Sequence, residues 1–596
     1  MAIIGRCYKK TMKKSTVFIA FLLCLSVTTF AQPVIYANQV GFDSESAKIA
    51  IVGVDHRLAG QTAFTLINVA TGKAEFLGTL GDPEKIDEWT PGKSYYQADF
   101  SDFNKDGKYV VSVEVDGKQY QSYPFIIEEN ALAKLTISAI VHYYHKQRAN
   151  TAAELEADKH MHLIGGGDKT VDVHGGWCDA SGDVSKYFSH LAYANFMSPQ
   201  QTPLVVWSMV SASEAIPGLL KQWNIKDSLD DEALYGADYI MRSLSPDNYF
   251  YMTVFSYFNK DPNARRIVGL HANSVTTDEY QCAFREGGGM AIAALARISR
   301  WKKHGEYTQA QYLDAAKRAF AHLLANNTRY DDDGKENIID DYCALMAATE
   351  LWIATDEPLY RDEARKRANN LNKRMTTVGY FIANDSNRPY WHASDAGLPV
   401  VALSRYMKKA DDVKLREVTR DIIRKALLYN LTVTGRVSNP FGYARQTFLY
   451  KGEVKEGFFI PHNNETGWWW QGEDARLSSL ATAALVGGRL VYSGENDALD
   501  RYASQQLSWI LGCNPYSMCF MYGFGKNNVP YMHSNFGHGS EVGGISNGIT
   551  GKEGNGDGSG IDFRTEDKGN EWRWTEEWIP HAAWFLQAVV ALAERN

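Results

Sequence analysis

An acidic, glycine-rich stretch at residues 175–183 (GGWCDASGD) has residue types that can activate a water molecule. Asp179 and Asp183 lie four residues apart in this stretch. Apolar periodicity predicts a helix over 184–196, so both acids would stand near a helix N-terminus, where anions are stabilised. They would therefore stay ionised, as a general base must. The alternative is that Asp183 only caps this helix.

A second cluster, residues 571–578 (EWRWTEEW), places Glu576 and Glu577 among three tryptophans. Apolar surroundings raise the pKa of a glutamate, as a general acid working near neutral pH requires. The alternative is again capping, because both glutamates would lie in the first turn of the last predicted helix. An ionised base and a protonated acid that face each other across a glycosidic bond suffice to hydrolyse it. The two clusters are therefore candidates for the two halves of such a site.

The segment that precedes the second cluster also indicates function. Residues 512–574 contain much glycine and little periodicity, and they lie between the last two predicted helices. Long loops without regular structure inside compact domains are usually functional. We therefore expect this segment to form part of the active site.

Aromatic residues are abundant, at 12% of the chain with 15 Trp and 33 Tyr. Their flat faces suit either core packing or stacking on sugar rings. Trp177, Trp391 and Trp468 are the candidate sugar contacts. Trp468 begins a run of three tryptophans that cannot all face one way on a helix, so at least one of the three belongs to the core.

The elements that must position these residues change type near residue 129. With 596 residues the chain is expected to form two or more domains. Residues 33–128 contain short alternating or apolar runs separated by turn sequences, which predicts a β-sandwich. After residue 129 apolar residues recur at spacings of three and four, and about a dozen helices can be placed with little strand between them. So many helices favour a toroid of paired helices over a bundle.

Composition and the N-terminus limit the partners and the location. The formal net charge of −8 argues against a nucleic-acid partner, which would need a basic face. Residues 1–31 contain four lysines followed by a short apolar run, typical of a cleaved signal peptide. The run is too short for stable insertion in a membrane. We therefore expect a periplasmic or secreted product.

Metal and disulfide sites are not expected from spacing, apart from one calcium candidate. Residues 329–337 (RYDDDGKEN) have the oxygen-rich composition of a structural calcium loop, with a solvated turn as the alternative. No other cofactor is expected. The cysteines beyond the leader are scattered and odd in number, which predicts neither a disulfide framework nor a zinc site: Cys178, Cys282, Cys343, Cys513 and Cys519.

Several motifs in a fixed order resemble glycoside hydrolase family 9. The stretches 34–42 (VIYANQVGF) and 96–103 (YQADFSDF) look like the immunoglobulin-like domain that precedes many of its catalytic domains. The stretch 176–183 (GWCDASGD) is similar to the family's Gly-Trp-x-Asp-Ala-Gly-Asp signature, with Ser181 as one extra residue. The family's Leu-Gly-x-Asn-Pro, Gly-Phe-Gly and closing Thr-Asn-Glu stretches resemble residues 509–515, 523–525 and 575–577.

The resemblance implies a fold, a reaction and residue roles. The fold is an immunoglobulin-like sandwich over 33–128 followed by an all-α (α/α)6 barrel over 129–596. The family acts by inversion, mostly on β-1,4-glucans, so the expected partner is a polysaccharide or oligosaccharide. By the matching motifs, Asp183 is the base, Asp179 helps to hold the attacking water and Glu577 is the acid. An inverting pair implies a gap of roughly 6.5–9.5 Å between base and acid.

Two departures from the family pattern leave alternatives open. If Ser181 bulges outward, both aspartates still reach the water and Asp183 remains the base; if the bulge turns Asp183 away, Asp179 becomes the base. The family's His-His-Arg stretch, which contacts the sugar next to the cut, is replaced by residues 531–535 (YMHSN), which keep His533 and no arginine. The alternatives to an endo-acting β-glucanase are therefore an exo-acting hydrolase of decorated or amino-sugar oligosaccharides and a non-catalytic carbohydrate-binding protein.

Overall fold

The structure is a computed structural model that describes most of the chain after the predicted leader. The described residues are 32–190, 200–271, 275–331, 333–464, 467–469, 471–492, 496–566 and 568–594. The predicted signal peptide, residues 1–31, lies outside them. Within these ranges, no helix combines the length and the apolar character that crossing a membrane requires.

The N-terminal domain consists of two β-sheets that enclose an apolar core. The strands are β1 Val34–Tyr36, β2 Gly41–Asp43, β3 Ile49–Val54, β4 Ala63–Asn68, β5 Ala74–Thr79, β6 Ser94–Asp99, β7 Gly107–Val115, β8 Lys118–Gln121 and β9 Phe125–Glu128. One sheet has the strand order β1-β3-β6, and the other has the order β2-β9-β7-β4-β5 with β8 added to β7. All neighbours are antiparallel except β2 and β9. This domain confirms the predicted N-terminal sandwich.

Six inner helices form a closed ring after this domain, because each contacts the next and the last contacts the first. Nearly every residue of the inner helices is buried, whereas the outer helices bury one side, as amphipathic spacing dictates. This is the predicted (α/α)6 barrel. The inner helices are Thr202–Ala215, Gly289–Ile298, Ile338–Thr355, Leu398–Met407, Asp474–Val491 and Ile579–Ala593, and the outer ones are Ala131–Gln147, Lys226–Arg242, Gln309–Tyr330, Pro358–Lys373, Val413–Thr434 and Asp497–Ile510.

Shorter elements connect the barrel helices. The short helices are Ala152–Lys159, Pro217–Gln222 and Trp572–Thr575, with a 3₁₀ turn at Pro262–Ala264 and a π turn at Phe284–Gly288. A four-stranded sheet orders Lys186–Tyr187, Thr253–Phe255, Arg266–His271 and Val275–Thr277. Three two-stranded pairs join Met161–His162 with Thr170–Val171, Gln446–Tyr450 with Glu453–Gly457, and Asn463–Asn464 with Gly467–Trp468.

The helix predicted over 184–196 is wrong at its start. Lys186 and Tyr187 form a strand that pairs with Thr253–Phe255, and residues 191–199 lie outside the described residues. The physical reason is an ion pair that apolar spacing cannot show. The ammonium of Lys186 is fully buried and donates to Asp158 at 2.7 Å and to two backbone carbonyls, so this residue faces inward on an extended chain.

The β-domain is docked on the barrel and supports one of its long loops. Trp89 inserts into an aromatic cluster of the barrel, with ring centroids 4.6 Å from Phe458 and 5.7 Å from Trp509. Gln39 donates from Nε2 to the carbonyl of Ser517 at 2.7 Å, and its Oε1 accepts from the backbone N–H groups of residues 526 and 527, each at 2.9 Å. One side chain of the sandwich therefore fixes the loop that follows the helix Asp497–Ile510. The cysteines predicted to be unpaired are free thiols, and all of them are buried.

Candidate active site

Asp183 lies in a turn rather than at a helix start. Its Oδ1 accepts hydrogen bonds from the backbone N–H of Ser185 at 2.8 Å and from the hydroxyl of Ser256 at 3.2 Å. Its Oδ2 accepts from the hydroxyl of Tyr187 at 3.0 Å. These donors replace the helix N-terminus that the sequence predicted. Three hydrogen bonds fix the orientation of this carboxylate.

Asp179 lies beside Asp183 and is paired with a histidine. Its Oδ2 is 3.0 Å from Nε2 of His190, while its Oδ1 has no hydrogen-bond partner among the described residues. Burial raises the pKa of Asp179; the neighbouring His190 opposes the rise and the charge of Asp183 adds to it. The His190 ring stacks on two aromatic rings. Its centroid is 3.6 Å from that of Tyr187, with the planes 28° apart, and 5.6 Å from that of Trp578, with the planes 6° apart. The sequence motif therefore places two carboxylates together, as predicted.

The segment with the two glutamates is extended, so it turns the two side chains to opposite faces. Glu576 has φ −67° and ψ 132°, Trp578 has φ −115° and ψ 141°, and the helix begins only at Ile579. Successive side chains on extended backbone alternate between faces. Only one of Glu576 and Glu577 can therefore face the aspartates.

Glu576 is the glutamate that faces them. Burial raises its pKa well above the ordinary value, and the charges of Asp179 and then Asp183 raise it further. The side chains of Trp578 and Asn547 hydrogen-bond to the Glu576 carboxyl and partly oppose this rise. Asn547 Oδ1 is in turn 3.1 Å from Nε2 of His581. A carboxyl with a raised pKa keeps its proton near neutral pH, as a general acid must.

Glu577, the predicted acid, is held by the loop 512–574, and the causes that shift its pKa are burial, Glu541 and Ser540 rather than the aspartates. Its Oε2 accepts from the backbone N–H of Glu541 at 3.0 Å, and a Cβ at Gly544 would lie 2.1 Å from that oxygen. The side chain is fully buried, and burial raises its pKa to about 8. The capping alternative placed Glu577 in a helical first turn, and the extended backbone overturns that alternative; the acid role that the closing motif implies for Glu577 stays a prediction.

The inserted Ser181 does not bulge into solvent. It is fully buried, its backbone N–H donates to the carbonyl of Glu577 at 2.9 Å, and its Oγ accepts from the N–H of Glu577 at 2.8 Å. The turn that carries the aspartates is therefore bonded directly to the segment that carries the glutamates. Neither of the two bulge geometries expected from the sequence describes this arrangement.

Two of the predicted sugar contacts belong to the core. Trp177 is fully buried, and its Nε1 donates to Glu232 at 2.7 Å. Its ring is therefore part of the core and is not accessible to a sugar. Trp391 is 2% exposed, with Arg388 over its ring at 5.9 Å. Both positions correct the prediction. The side chain of Trp468 lies outside the described residues, and His533 is exposed beside Tyr531, where its sugar contact stays a prediction.

The segment 512–574 lies at the site, as its composition indicated. It supplies Asn547 to Glu576, and Glu541 and Ser540 to Glu577. The carbonyl of His538 accepts from the backbone N–H of Gly182, between the two aspartates, at 2.9 Å. The loop therefore joins both halves of the site.

One cluster among the described residues could hold a metal ion. Glu154, Cys178 and His538 each offer a ligand atom, and these atoms lie within 4.8 Å of one another. They come from three separate segments, so the spacing that argued against zinc could not show them. In the predicted calcium loop, Arg285 lies 2.7 Å from Asp331 and 3.0 Å from Asp333, so a guanidinium supplies positive charge there.

Sequence reasoning missed His190 and Trp578, and its capping alternative placed both glutamates in a helical first turn, where the structure has extended backbone. A signal was present for the last of these. Pro580 is followed by a long apolar run, and proline favours the first turn of a helix, which places the helix start after the glutamates. His190 carried no signal, because the residues around it were interpreted as one helix.

The site and the fold define a class of protein. Two buried aspartates, one held by three donors, face a glutamate whose pKa is raised, at one end of an (α/α)6 barrel. This is the acid–base equipment of a glycoside hydrolase. The chain matches the family model "Glycosyl hydrolase family 9" over residues 134–558 and the model "Cellulase N-terminal ig-like domain" over residues 31–118. The chain therefore belongs to glycosyl hydrolase family 9.

Individual relatives agree with this membership. The chain is similar to the xyloglucan-specific endo-beta-1,4-glucanase BoGH9A of Bacteroides ovatus, at 22% identity over 553 residues that cover 85% of this chain and 83% of that protein. It is similar to Endoglucanase 4 of a Bacillus species, at 22% identity over 401 residues that cover 63% of this chain and 54% of that protein. Among solved structures, a metagenome-derived glycoside hydrolase family 9 endoglucanase aligns with a TM-score of 0.67 and 18% identity, covering 94% of this chain and 99% of the other.

Proposed function

We propose that this protein hydrolyses β-1,4-linked glucan with inversion at the anomeric carbon. The observation that carries the proposal is that the extended backbone turns Glu576 to the face opposite Glu577, where burial and the charges of both aspartates raise its pKa. The family match ends at residue 558, and the closing motif implies Glu577, so the choice of Glu576 rests on this geometry and departs from the motif.

The two aspartates act on the attacking water, and Glu576 acts on the leaving group. Asp183, held by three donors, accepts the proton of the attacking water. Asp179 turns its unpartnered Oδ1 to the same water and keeps His190 on its other oxygen. Glu576 donates its proton to the departing glycosidic oxygen. Inversion requires that base and acid stand roughly 6.5–9.5 Å apart, because the water must fit between base and sugar.

The substrate assignment is supported by what the relatives are named for. The two described above are called a xyloglucan-specific endo-beta-1,4-glucanase and an endoglucanase. A β-1,4-glucan backbone is common to both descriptions, so it is the substrate class proposed here. The predicted leader at residues 1–31 would take this activity to the periplasm or outside the cell.

The test compares matched substitutions of adjacent residues on several glycans. Wild type, Glu576→Gln and Glu577→Gln are incubated with soluble β-1,4-glucan, xyloglucan and amino-sugar oligomers, and reducing ends are counted. Loss of the acid should lower kcat on the order of 10²–10⁴-fold in Glu576→Gln. Glu577→Gln should stay within about tenfold of wild type, since it keeps an oxygen for the N–H of Glu541.

Three results would contradict the proposal. Equal loss in both variants, or loss in Glu577→Gln alone, would remove Glu576 from the acid role. Release of sugars from amino-sugar oligomers only would favour the exo-acting alternative. Binding of glucan without release of reducing ends by the wild type would favour a carbohydrate-binding protein.

A further inference from the structure

The residue inserted between the two aspartates is bonded to the opposite half of the site. Ser181 and Glu577 are 396 positions apart in the chain and exchange two hydrogen bonds, one from each backbone N–H. On one side of this pair, the backbone N–H of Ile579 donates to the carbonyl of Asp179 at 3.1 Å. The two segments thus run antiparallel, with Ala180 opposite Trp578.

These bonds bear on the separation of base and acid. Asp179 and Asp183 flank Ser181 by two residues on each side, and Glu576 directly precedes the residue that Ser181 binds. Hydrogen bonds that join the two segments directly restrict the position of one relative to the other. Catalysis is sensitive to such placement, since a shift of about 1 Å can cost roughly 10²-fold in rate.

The hydroxyl has a specific part in this bridge. Glu577 is fully buried, and its N–H donates to Ser181 Oγ at 2.8 Å. Removal of this oxygen would leave a buried donor without its acceptor, which proteins avoid by shifting the chain or admitting water. Either response would act on Glu576, one residue away.

We propose that Ser181 is a positioning residue that sets the distance and alignment between the aspartate pair and Glu576. The inference rests on the proposed function for its catalytic consequence, but the bond itself can be tested without activity. Ser181 is fully buried and acts through the Glu577 backbone rather than on the reacting groups. Its loss should reduce turnover while substrate binding is maintained.

The experiment compares Ser181→Ala with a matched control, Ser546→Ala. Ser546 is also fully buried and pairs with Glu577 from the other side, but its hydroxyl donates to the carbonyl of Phe520 instead. Ser181→Cys is the second variant, because it keeps the shape with a weaker acceptor and tests the bond if the alanine variant does not fold. Measurements are hydrogen exchange of peptides covering 576–579 and steady-state kinetics on β-1,4-glucan.

The expected results separate positioning from general destabilisation. Exchange at 576–579 should accelerate about tenfold or more in Ser181→Ala, less in Ser181→Cys, and remain at the wild-type rate in Ser546→Ala. The kcat of Ser181→Ala should fall about tenfold or more while KM changes less than about threefold.

Unchanged exchange in both Ser181 variants would overturn the bridge. Faster exchange with wild-type kcat, or an equal loss of kcat in Ser546→Ala, would overturn the positioning role. A wild type that releases no sugar would refute the proposed function instead. In that case the exchange measurement alone would decide whether Ser181 holds the segment.

Discussion

Glu577 offers a perturbation whose size follows from its burial. The carboxyl is fully buried and its pKa is raised from 4.5 to about 8, mainly by desolvation. In the unfolded chain the group releases its proton near pH 4.5, whereas the folded chain keeps it until about pH 8. The folded state therefore binds more protons between these values, and stability must fall as pH rises through this window.

The change in the free energy of unfolding follows from the size of the pKa shift of Glu577. Each pKa unit corresponds to about 1.4 kcal/mol, so a shift of this size costs on the order of 5 kcal/mol above pH 8. For a chain of this length, the unfolding entropy per residue converts that cost to roughly 4 °C in Tm. Glu577→Gln removes the titration and keeps an acceptor for the N–H of Glu541. The variant should therefore gain stability relative to wild type as pH rises from 5 to 9.

Thermal unfolding of both proteins at pH 5, 7 and 9 measures the effect. The difference in Tm should grow with pH in favour of the variant and level off above about pH 8. If the Tm values of the two proteins changed in parallel with pH, Glu577 would titrate alike in the folded and unfolded chains, and the predicted stability effect would be wrong. A variant that loses stability with rising pH would show that the carboxylate is stabilised where it lies.

Two further substitutions test other parts of the site and fold. Asp183→Asn should lose nearly all hydrolysis, on the order of 10²–10⁴-fold, and Asp179→Asn a smaller but large fraction, as measured by kcat on β-1,4-glucan; the reverse order would make Asp179 the base. Gln39→Ala should lower the free energy of unfolding by about 2–4 kcal/mol, because three hydrogen bonds to a barrel loop are lost, and an unchanged denaturation midpoint would contradict this.

The architecture was largely accessible from sequence because it depends on periodicity. The alternation before residue 129 and the three-to-four spacing after it gave the two domain types, and most predicted helices lie within a few residues of the observed ones. Contacts between buried polar side chains could not be predicted from the sequence. Lys186 lies in a strand because Asp158 accepts from its ammonium inside the protein, a contact between distant residues that no local pattern records.

The site could be predicted to the level of segments but not of side-chain direction. The aspartate turn and the loop 512–574 meet as expected. The closing motif implied Glu577 as the acid, whereas the extended backbone turns Glu576 and Glu577 to opposite faces, a direction that the motif does not record. Trp177 was a plausible sugar contact by type alone, whereas its position in the core follows from its bond to Glu232.

The stereochemistry of the first product shows whether hydrolysis proceeds with inversion or with retention. Proton NMR of wild-type protein acting on a soluble β-1,4-glucan, recorded before mutarotation, shows which anomer is released. An inverting site with a water-activating aspartate pair opposite Glu576 predicts the α-anomer first. Initial release of the β-anomer would contradict the account, because one of the aspartates would then act as a nucleophile on the sugar rather than as a base on water.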